Sequence, residues 1–418
     1  MISYAKNLEE IVIDYGLQGR EALISRMISA LYDCKSELME VLSEVEDSRA
    51  CEYEFEAALS TLRGAAAEMN LNDPPTLRSI AVFMPSNVLL YSWVLYVAIP
   101  SLYSREVHVR PASAVKSQTA KINDLMGLRC GVRALVHDVS QSVFVSDVVS
   151  VAEIVVFTGT YQNAEKVRST LGKEQVMLFL GSGPNPFLVC QDADIRQAAR
   201  ELVRIRCLNW GQDCLAPDVV FVHSSLRPEF IDTLRREVDV ELKDRRSENG
   251  SSGFGRIFYE GAFQSATEFM RRYRQNIIMG GRVSFGEMSL EPTIFEWSCE
   301  PEHVPMVEFF APIFNVAYFD CEASMVDRLC SGSFVEAAMG VSVFGATTES
   351  VERLTRWYTV TEGSSLLAVD DGNEPLGGKG PMANYSARGG KVLARPILLS
   401  REASFWFSCS RGEPRCSS

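Results

Sequence analysis

The sequence predicts an α/β fold built on doubly wound, largely parallel sheets. Short apolar strands alternate with helices between residues 79 and 240, the pattern typical of strand–helix–strand units. The chain of 418 residues is too long for one ordinary core, so two or three domains are expected. In sheets of this kind, ligands bind beyond the carboxyl ends of the strands.

The first part of the chain is predicted to be helical. Within residues 7–70, apolar side chains such as Leu23, Met27 and Leu31 recur at helical spacing, and a second helical run covers 52–69. The sequence Asn-Asp-Pro-Pro at 72–75 ends this pattern and marks a loop.

Strands and helices then alternate. The predicted strands are 79–84, 107–110, 133–136, 154–158, 177–181, 186–189, 219–223, a pair after 280–282, one within 308–319 and a late one at 396–407. The predicted helices are 89–102, 113–126, 195–208, 228–240, 264–276 and 324–330. Residues 244–256 are predicted to form a polar, flexible loop, and the glycine-rich residues 371–392 to line a site or cross between domains.

Composition excludes several classes of function. A formal charge of −13 disfavours a nucleic-acid surface, which phosphate repulsion would penalise. The eleven cysteines show neither zinc nor disulfide spacing, so we expect no metal site and a reducing, cytoplasmic location. The apolar run 88–99 is too short to span a bilayer, and the first six residues have no leader-like apolar segment, so no membrane association is expected.

The hexapeptide Asn-Trp-Gly-Gln-Asp-Cys at 209–214 is the candidate centre of chemistry. It forms a polar turn between a predicted helix and a predicted strand. A thiol at Cys214 would stand at the head of an element, among backbone N–H groups that could stabilise a thiolate nucleophile. The local sequence also fits a buried structural cysteine, and the rest of the chain decides between the two.

Further candidates follow predicted strands. Asn87, Arg110 and the pair Gly159-Thr160 each come at a predicted carboxyl end, where a ligand is expected. Taken alone, Asn87 also fits a helix cap and Thr160 an ordinary strand–helix connection.

Eight segments together resemble the aldehyde dehydrogenase superfamily, in the order and spacing of its motifs. The resemblance runs from about residue 20 to the C-terminus, although the chain is shorter than typical members. The segments are MPSN at 84–87 with Ser-Trp at 92–93, VRPAS at 109–113, FTGT at 157–160, LGSGPNP at 180–186, NWGQDC at 209–214, EPT at 291–293, EFFAP at 308–312 and PLGG at 375–378.

The resemblance implies a role for each matched residue. Cys214 would attack the carbonyl of an aldehyde or thioester, and the Asn87 amide with the Cys214 N–H would hold the oxyanion. NAD or NADP would be the cofactor. Its contacts would be Arg110 and Ser113 at the adenosine ribose or its phosphate, Thr160 by the diphosphate, Glu308 at the nicotinamide ribose and Phe310 near the nicotinamide.

The same resemblance implies a domain organisation. Residues 1–178 would form a Rossmann-type NAD(P)-binding domain with N-terminal helices, and 179–385 an α/β catalytic domain carrying Cys214. Residues 386–418 would form a bridging segment with a small oligomerisation strand, in a homodimer or homotetramer.

Departures from the family pattern bear on the reaction. Phe179 stands where the family has the glutamate that activates water, and a phenyl ring cannot accept a proton. Ser113 stands where NAD-preferring members often carry glutamate, which removes a repulsion against a 2′-phosphate. Arg110 replaces a lysine, Ala164 a glycine after Thr160, and Ala311 the glycine of the E-x-F-G-P motif.

These features predict an NAD(P)-dependent oxidoreductase that works through a Cys214 thioester. The missing base favours acyl transfer to another thiol or reduction of an acyl thioester, with coenzyme A or an acyl carrier protein as candidate carriers. An ordinary dehydrogenase that oxidises an aldehyde to an acid, and a non-catalytic member of the fold, are the alternatives.

Overall fold

Two seven-stranded sheets organise the computed structural model, which describes residues 16–249, 254–298 and 300–408. The strands are β1 Leu77–Phe83, β2 Ser104–Arg110, β3 Leu135–Val136, β4 Ile154–Thr158, β5 Val176–Leu180, β6 Pro186–Val189, β7 Val219–His223, β8 Ile277–Met279, β9 Val283–Ser284, β10 Ser289–Leu290, β11 Thr293–Glu296, β12 Ile313–Phe319, β13 Gly340–Phe344, β14 Thr359–Glu362, β15 Asn384–Arg388 and β16 Lys391–Leu393.

Fourteen α-helices occur in the described ranges. They are α1 Leu17–Asp33, α2 Lys35–Ser43, α3 Ser48–Asn72, α4 Leu89–Trp93, α5 Lys116–Cys130, α6 Gln141–Asp147, α7 Tyr161–Arg168, α8 Ile195–Cys207, α9 Arg227–Asn249, α10 Glu260–Arg272, α11 Glu322–Leu329, α12 Gly332–Ala337, α13 Thr348–Thr355 and α14 Leu399–Ser408. Helix α4 continues through a π turn, Val94–Ala98, and a 3-10 turn, Pro100–Leu102, which together match the predicted helix 89–102. Within the described ranges, no helix is long and apolar enough to cross a membrane.

The first sheet has the strand order β16-β15-β5-β4-β1-β2-β3. Strands β1 to β5 pair in parallel, and β15 and β16 join antiparallel beside β5. Leu77, Ile80 and Val82 of β1 pack with the N-terminal helices in one hydrophobic core. The predicted doubly wound sheet is therefore confirmed for this half of the chain.

The second sheet has the order β14-β13-β6-β7-β12-β11-β8 and is parallel except for β8. It is buried between helices, as the apolar runs Pro186–Val189 and Gly340–Phe344 require. The predicted domain bounds stay a prediction. Strand β5 crosses the expected boundary after residue 178, and β15 and β16 return the chain to the first sheet.

The predicted late strand at 396–407 is wrong, because most of this segment forms helix α14. Leu399, Ala403 and Trp406 are buried at helical spacing against the first core. The buried carboxylate of Glu402 pairs with Arg395 at 2.8 Å, which fixes the helix further. The aromatic residues of this segment have high strand propensity, but the helical spacing of its buried positions decides its structure.

The predicted loop at 244–256 is wrong in part. Helix α9 continues to Asn249, while residues 250–253 lie outside the described residues, as do residues 7–15 of the predicted N-terminal helical region. Arg245 explains the extension, since its buried guanidinium bonds Glu241 at 2.5 Å, Asp47 at 2.8 Å and the Cys207 carbonyl at 2.6 Å. These contacts hold the last turns of α9 against the N-terminal helices and the start of the Cys214 turn.

Candidate active site

A cavity of about 440 Å³ brings together four of the residues that the sequence singled out, Asn87, Gly159, Cys214 and Phe310. Its wall also includes Leu180, Gly181 and Ser182 after β5. The predicted glycine-rich segment contributes Asp371, Gly372, Glu374 and Leu376. This segment therefore does line a site, as expected.

The turn that carries Cys214 has an unusual backbone, which its sequence explains. Asn209, Trp210 and Gly211 have φ values of 45°, 55° and 79°, in the left-handed region. A Cβ atom at Gly211 would lie 2.4 Å from the Ala311 carbonyl oxygen, so only glycine fits there. The turn is thereby pressed against the segment that contains Glu308 and Phe310.

Side-chain amides hold the same turn in place. Gln212 donates from Nε2 to the Asn209 carbonyl at 3.0 Å, and its Oε1 accepts from the Phe258 N–H at 2.7 Å. Asn185 donates to the Cys214 carbonyl at 2.7 Å. These bonds orient the Cys214 backbone from both sides.

Asn87 reaches this turn from the other sheet. It follows β1, and its Nδ2 donates to the Gln212 carbonyl at 3.4 Å. A side-chain amide and the thiol of Cys214 thus meet in one cavity, as an oxyanion site requires.

The Cys214 thiol does not lie in the thiolate-stabilising position that the sequence suggested. It stands in a turn before β7, and the thiol pKa is raised well above its usual value. Burial is the main cause, followed by the negative charges of Asp213, Asp370 and Glu308. In this state the thiol is protonated at neutral pH, so attack on a carbonyl must be coupled to loss of its proton.

Asp370 is a site residue that the sequence did not reveal. Its two carboxylate oxygens accept from the hydroxyls of Tyr53 at 2.8 Å and Tyr91 at 3.2 Å, and it lines the cavity with Cys214. Burial raises the pKa of Asp370 to about 6. No local pattern marks this residue, because its two tyrosine partners come from helices more than 270 residues earlier.

Glu308 lies beside the cavity, half-buried, and burial raises the pKa of its carboxyl. Its Oε1 atom is buried without a hydrogen-bond partner among the described residues. A buried acceptor of this kind is costly unless a ligand supplies a donor.

The segment after Glu308 is anchored by a buried ion pair. Arg206 and Asp218 are 3.1 Å apart and almost fully buried. Arg206 donates to the Phe309 carbonyl at 2.8 Å, and Asp218 accepts from the Phe309 N–H at 2.7 Å. The ion pair therefore connects helix α8, the chain before β7 and the Glu308 segment. Phe310, in that segment, lines the cavity.

Arg110, Ser113 and Thr160 lie at or just after the ends of β2 and β4, where the sequence placed them. Ser113 and Thr160 are exposed, and Arg110 donates from Nε to the Val139 carbonyl at 3.1 Å. Their neighbours Ala112 and Gly159 line the cavity. These three residues thus lie next to the cavity wall, on the side of the first sheet.

Phe179 lies in the core of the first sheet. It is fully buried in β5, with ring centroids 5.2 Å from Tyr385 and 6.1 Å from Tyr161. The next residue, Leu180, is the one that lines the cavity.

The curated proteins that match this chain include three that are named as dehydrogenases. The chain is 27% identical over 203 residues to 4,4'-diapolycopene-4,4'-dial dehydrogenase of Cytobacillus firmus, covering 48% of this chain and 43% of the relative. It is 28% identical over 169 residues to 4,4'-diaponeurosporen-aldehyde dehydrogenase of Staphylococcus aureus, covering 39% and 36%. It is 25% identical over 188 residues to D-glyceraldehyde dehydrogenase (NADP(+)) of Picrophilus torridus, covering 42% and 36%. The matched part thus spans less than half the length of each relative.

Solved structures share the fold over nearly the whole chain. Substrate-bound Staphylococcus aureus AldH superposes with a TM-score of 0.75 at 14% identity, covering 95% of each chain. Glyceraldehyde-3-phosphate dehydrogenase GapN from Methanocaldococcus jannaschii, in complex with NADP, gives 0.74 at 15% identity, covering 92% of this chain and 91% of that one. The sequence profile of the Aldehyde dehydrogenase family matches residues 107–360, which is more than half of the chain. The chain therefore belongs to the aldehyde dehydrogenase family.

Proposed function

We propose that the protein is an NAD(P)-dependent oxidoreductase that acts on an aldehyde or an acyl thioester through a covalent bond to Cys214. The observation that carries this proposal is the meeting of Cys214 and the Asn87 amide in one cavity. Family membership and the names of the curated relatives, which are aldehyde dehydrogenases, support the same class of reaction.

Cys214 is the proposed nucleophile. Its sulfur forms a bond to the carbonyl carbon while the thiol proton leaves, giving a thiohemiacetal from an aldehyde or a tetrahedral adduct from a thioester. The oxyanion that develops accepts hydrogen bonds from the Asn87 amide and the Cys214 N–H.

The residues beside the cavity fit a dinucleotide. The unpartnered Oε1 of Glu308 would accept from a ribose hydroxyl, and Phe310 would pack near the nicotinamide. Arg110, Ser113 and Thr160 would contact the adenosine and diphosphate portion. The chemistry that a bound nicotinamide cofactor supplies is hydride transfer. NADP is bound by one structural neighbour and named for one relative, which supports its candidacy beside NAD.

The fate of the acyl group distinguishes two forms of the proposal. Phe179 is buried in the first sheet, so no carboxylate at that position can activate water. This favours transfer of the acyl group to a thiol, such as coenzyme A or an acyl carrier protein, or the reverse reduction of a thioester.

Hydrolysis to an acid is the second candidate, favoured by a different observation. The Asp370 carboxylate lines the cavity, and its charge is near enough to raise the pKa of Cys214. With a pKa of about 6 it is ionised at neutral pH and can accept a proton from water that attacks the thioester.

Single-turnover kinetics test the proposal. Purified protein is mixed with a panel of aldehydes and NAD or NADP, with and without coenzyme A, and with acyl thioesters and NADPH or NADH, while nicotinamide absorbance is followed. We expect one stoichiometric burst from aldehydes, and turnover only with a thiol acceptor.

Two other kinetic outcomes would change the proposal. Sustained acid formation in water alone that is lost in Asp370→Asn would support the hydrolytic form. Full turnover by Cys214→Ala would show that the thiol is not the nucleophile and would refute the proposal.

A further inference from the structure

Two glutamates from the N-terminal helices converge on the residues that follow Asn87. Glu54 in α3 is 1% exposed, and Glu46 lies in the connection between α2 and α3. Neither belongs to a segment that the sequence associated with chemistry. Buried carboxyl groups without a cationic partner are rare, since each must be neutral or bonded to donors.

The pair binds the backbone immediately after Asn87. Glu54 Oε2 accepts from the N–H groups of Leu90 at 2.7 Å and Tyr91 at 3.2 Å. Glu46 Oε1 accepts from the Val88 N–H at 3.2 Å. Val88 has a φ of 55°, a conformation that a β-branched residue rarely adopts unless its surroundings impose it. The two carboxyl groups are the contacts that hold this turn from the side of the helices.

Each of the two carboxyl groups keeps one oxygen without a partner among the described residues. Glu46 Oε2 and Glu54 Oε1 are buried, and the described residues offer them no N–H or O–H donor. Both carboxyl groups bind N–H groups of one turn, and burial together with the nearby charge of Glu54 raises the pKa of Glu46. A hydrogen bond between two such carboxyl groups would need a proton, with one group protonated and the other ionised. Glu54 accepts two backbone N–H groups and is the better anion, which leaves the proton on Glu46.

The same turn is fixed from the opposite side. The Tyr259 hydroxyl donates to the Ser86 carbonyl, and Asn87 itself donates to the Gln212 carbonyl at 3.4 Å. The position of the Asn87 amide relative to Cys214 is therefore set by the glutamate pair and Tyr259 together.

We propose that Glu46 and Glu54 form a carboxyl pair sharing one proton that positions Asn87 as an oxyanion donor opposite Cys214. This inference rests on the proposed function of Cys214 and Asn87. Glu46 and Glu54 are positioning residues, because they act on the reacting atoms only through the Asn87 turn.

Amide substitutions test the shared proton. In Glu46→Gln, the Oε1 atom can still accept from Val88, and the Nε2 group replaces the proton donated to Glu54. In Glu54→Gln, the amide oxygen accepts from Leu90 and Tyr91, and Nε2 donates to an ionised Glu46. In the double variant two amide nitrogens face each other, so one hydrogen bond is lost whichever way they turn.

Acylation of Cys214 by 4-nitrophenyl acetate gives a readout that needs no nucleotide. The sulfur–carbon bond forms, the carbon–oxygen bond breaks and 4-nitrophenolate leaves, while the thiol proton passes to solvent. The burst rate constant then reports oxyanion stabilisation, and Cys214→Ala shows whether the burst belongs to this thiol.

We expect either single variant to acylate within about threefold of wild type, and the double variant to lose about 100-fold, the effect of removing one oxyanion donor. Glu52→Gln, an exposed change on the same helix, is the matched control and should leave the burst unchanged. The decisive arm repeats the double change in an Asn87→Ala background, where it should cost no more than about twofold. Should the double variant fail to fold, Glu46→Met replaces it in both backgrounds.

The outcomes separate this inference from the proposed function. A burst that survives Cys214→Ala refutes the proposed function and this inference with it. A Cys214-dependent burst with equal costs in the presence and absence of Asn87 refutes only the positioning role. A double variant as active as the single ones refutes the shared proton.

Discussion

At the scale of single residues, the environment of the Cys214 thiol is acidic. Burial and the charges of Asp213, Asp370 and Glu308 all oppose ionisation of the thiol. A reactive thiol normally needs the opposite conditions. Cys214 is therefore protonated at neutral pH, and under the proposed function a bound cation or a proton acceptor would have to change that balance.

The charge of Asp370 should have a measurable effect on the thiol. In Asp370→Asn one negative charge is lost, so the pKa of Cys214 should fall and its thiolate fraction rise. We expect carbamidomethylation of Cys214 by iodoacetamide at pH 8 to accelerate about threefold to tenfold, since one pKa unit changes the thiolate fraction tenfold. Mass spectrometry of the Cys214 peptide distinguishes it from the other ten of the eleven cysteines.

The effect of Asp370 on the thiol should disappear at low pH. Below the Asp370 pKa of about 6 the wild-type carboxyl is itself neutral, so the two proteins should react at the same rate at pH 5. Asp232→Asn, an exposed aspartate on α9, is the charge-matched control. Equal rates for wild type and Asp370→Asn at pH 8 would contradict the assigned coupling.

At the scale of secondary-structure elements, the Arg206–Asp218 pair connects helix α8 to the Glu308 segment. Five hydrogen bonds from these two side chains end on backbone atoms of Asn185, Pro217, Phe309 and Ala311. The geometry of the site thus depends on a buried ion pair that supplies hydrogen-bond partners to the backbone of the segments connecting these elements. Burial is the main cause that raises the pKa of Asp218 to about 7, even though the neighbouring charge of Arg206 lowers it.

Arg206→Met should destabilise the protein by about 3–5 kcal/mol, because it leaves Asp218 buried without its cation. Urea unfolding followed by circular dichroism measures this change. Arg204→Met, which breaks an exposed pair with Glu201 on the same helix, should cost less than about 1 kcal/mol. Adding Asp218→Asn to Arg206→Met should recover part of the loss, and a further equal loss would contradict the explanation.

At the scale of the whole molecule, two sheets and the helices between them form a scaffold in which the cavity is lined from both halves of the chain. Asn87 comes from the first sheet and Cys214 from the second. The predicted homodimer or homotetramer stays a prediction. Strand β16 is the edge of the first sheet, with Val392 39% exposed, and an exposed edge strand is a natural place for another chain to pair.

Nucleotide binding should stabilise the whole fold. A ligand at 100 times its Kd adds about 2.7 kcal/mol, which raises the melting temperature. Ser113→Glu should reduce the stabilisation by NADP and leave that by NAD unchanged, because the new carboxylate would repel a 2′-phosphate. Ser150→Glu, at an exposed position after β3 and before β4, is the control. An equal loss with both nucleotides would place Ser113 away from the 2′ position.

The sequence by itself determined the fold class, the position of most strands along the chain and the convergence of Cys214, Asn87 and Phe310 on one cavity. Strands could be predicted because a buried strand appears in the sequence as a local apolar run. The cavity residues could be predicted because the matched motifs are short and contiguous. The prediction at 396–407 was wrong because its apolar aromatic residues fit a strand as well as a helix. Only the positions of the buried side chains distinguish the two.

Only the tertiary structure decided the electrostatics of the site. Asp370 accepts hydrogen bonds from Tyr53 and Tyr91, Glu46 and Glu54 bind the turn after Asn87, and Phe179 lies in the core. Each of these depends on which faces of distant elements pack together, and the free energy of a buried charge changes steeply with the few atoms around it. The spacing of residues along the chain does not predict which atoms those are.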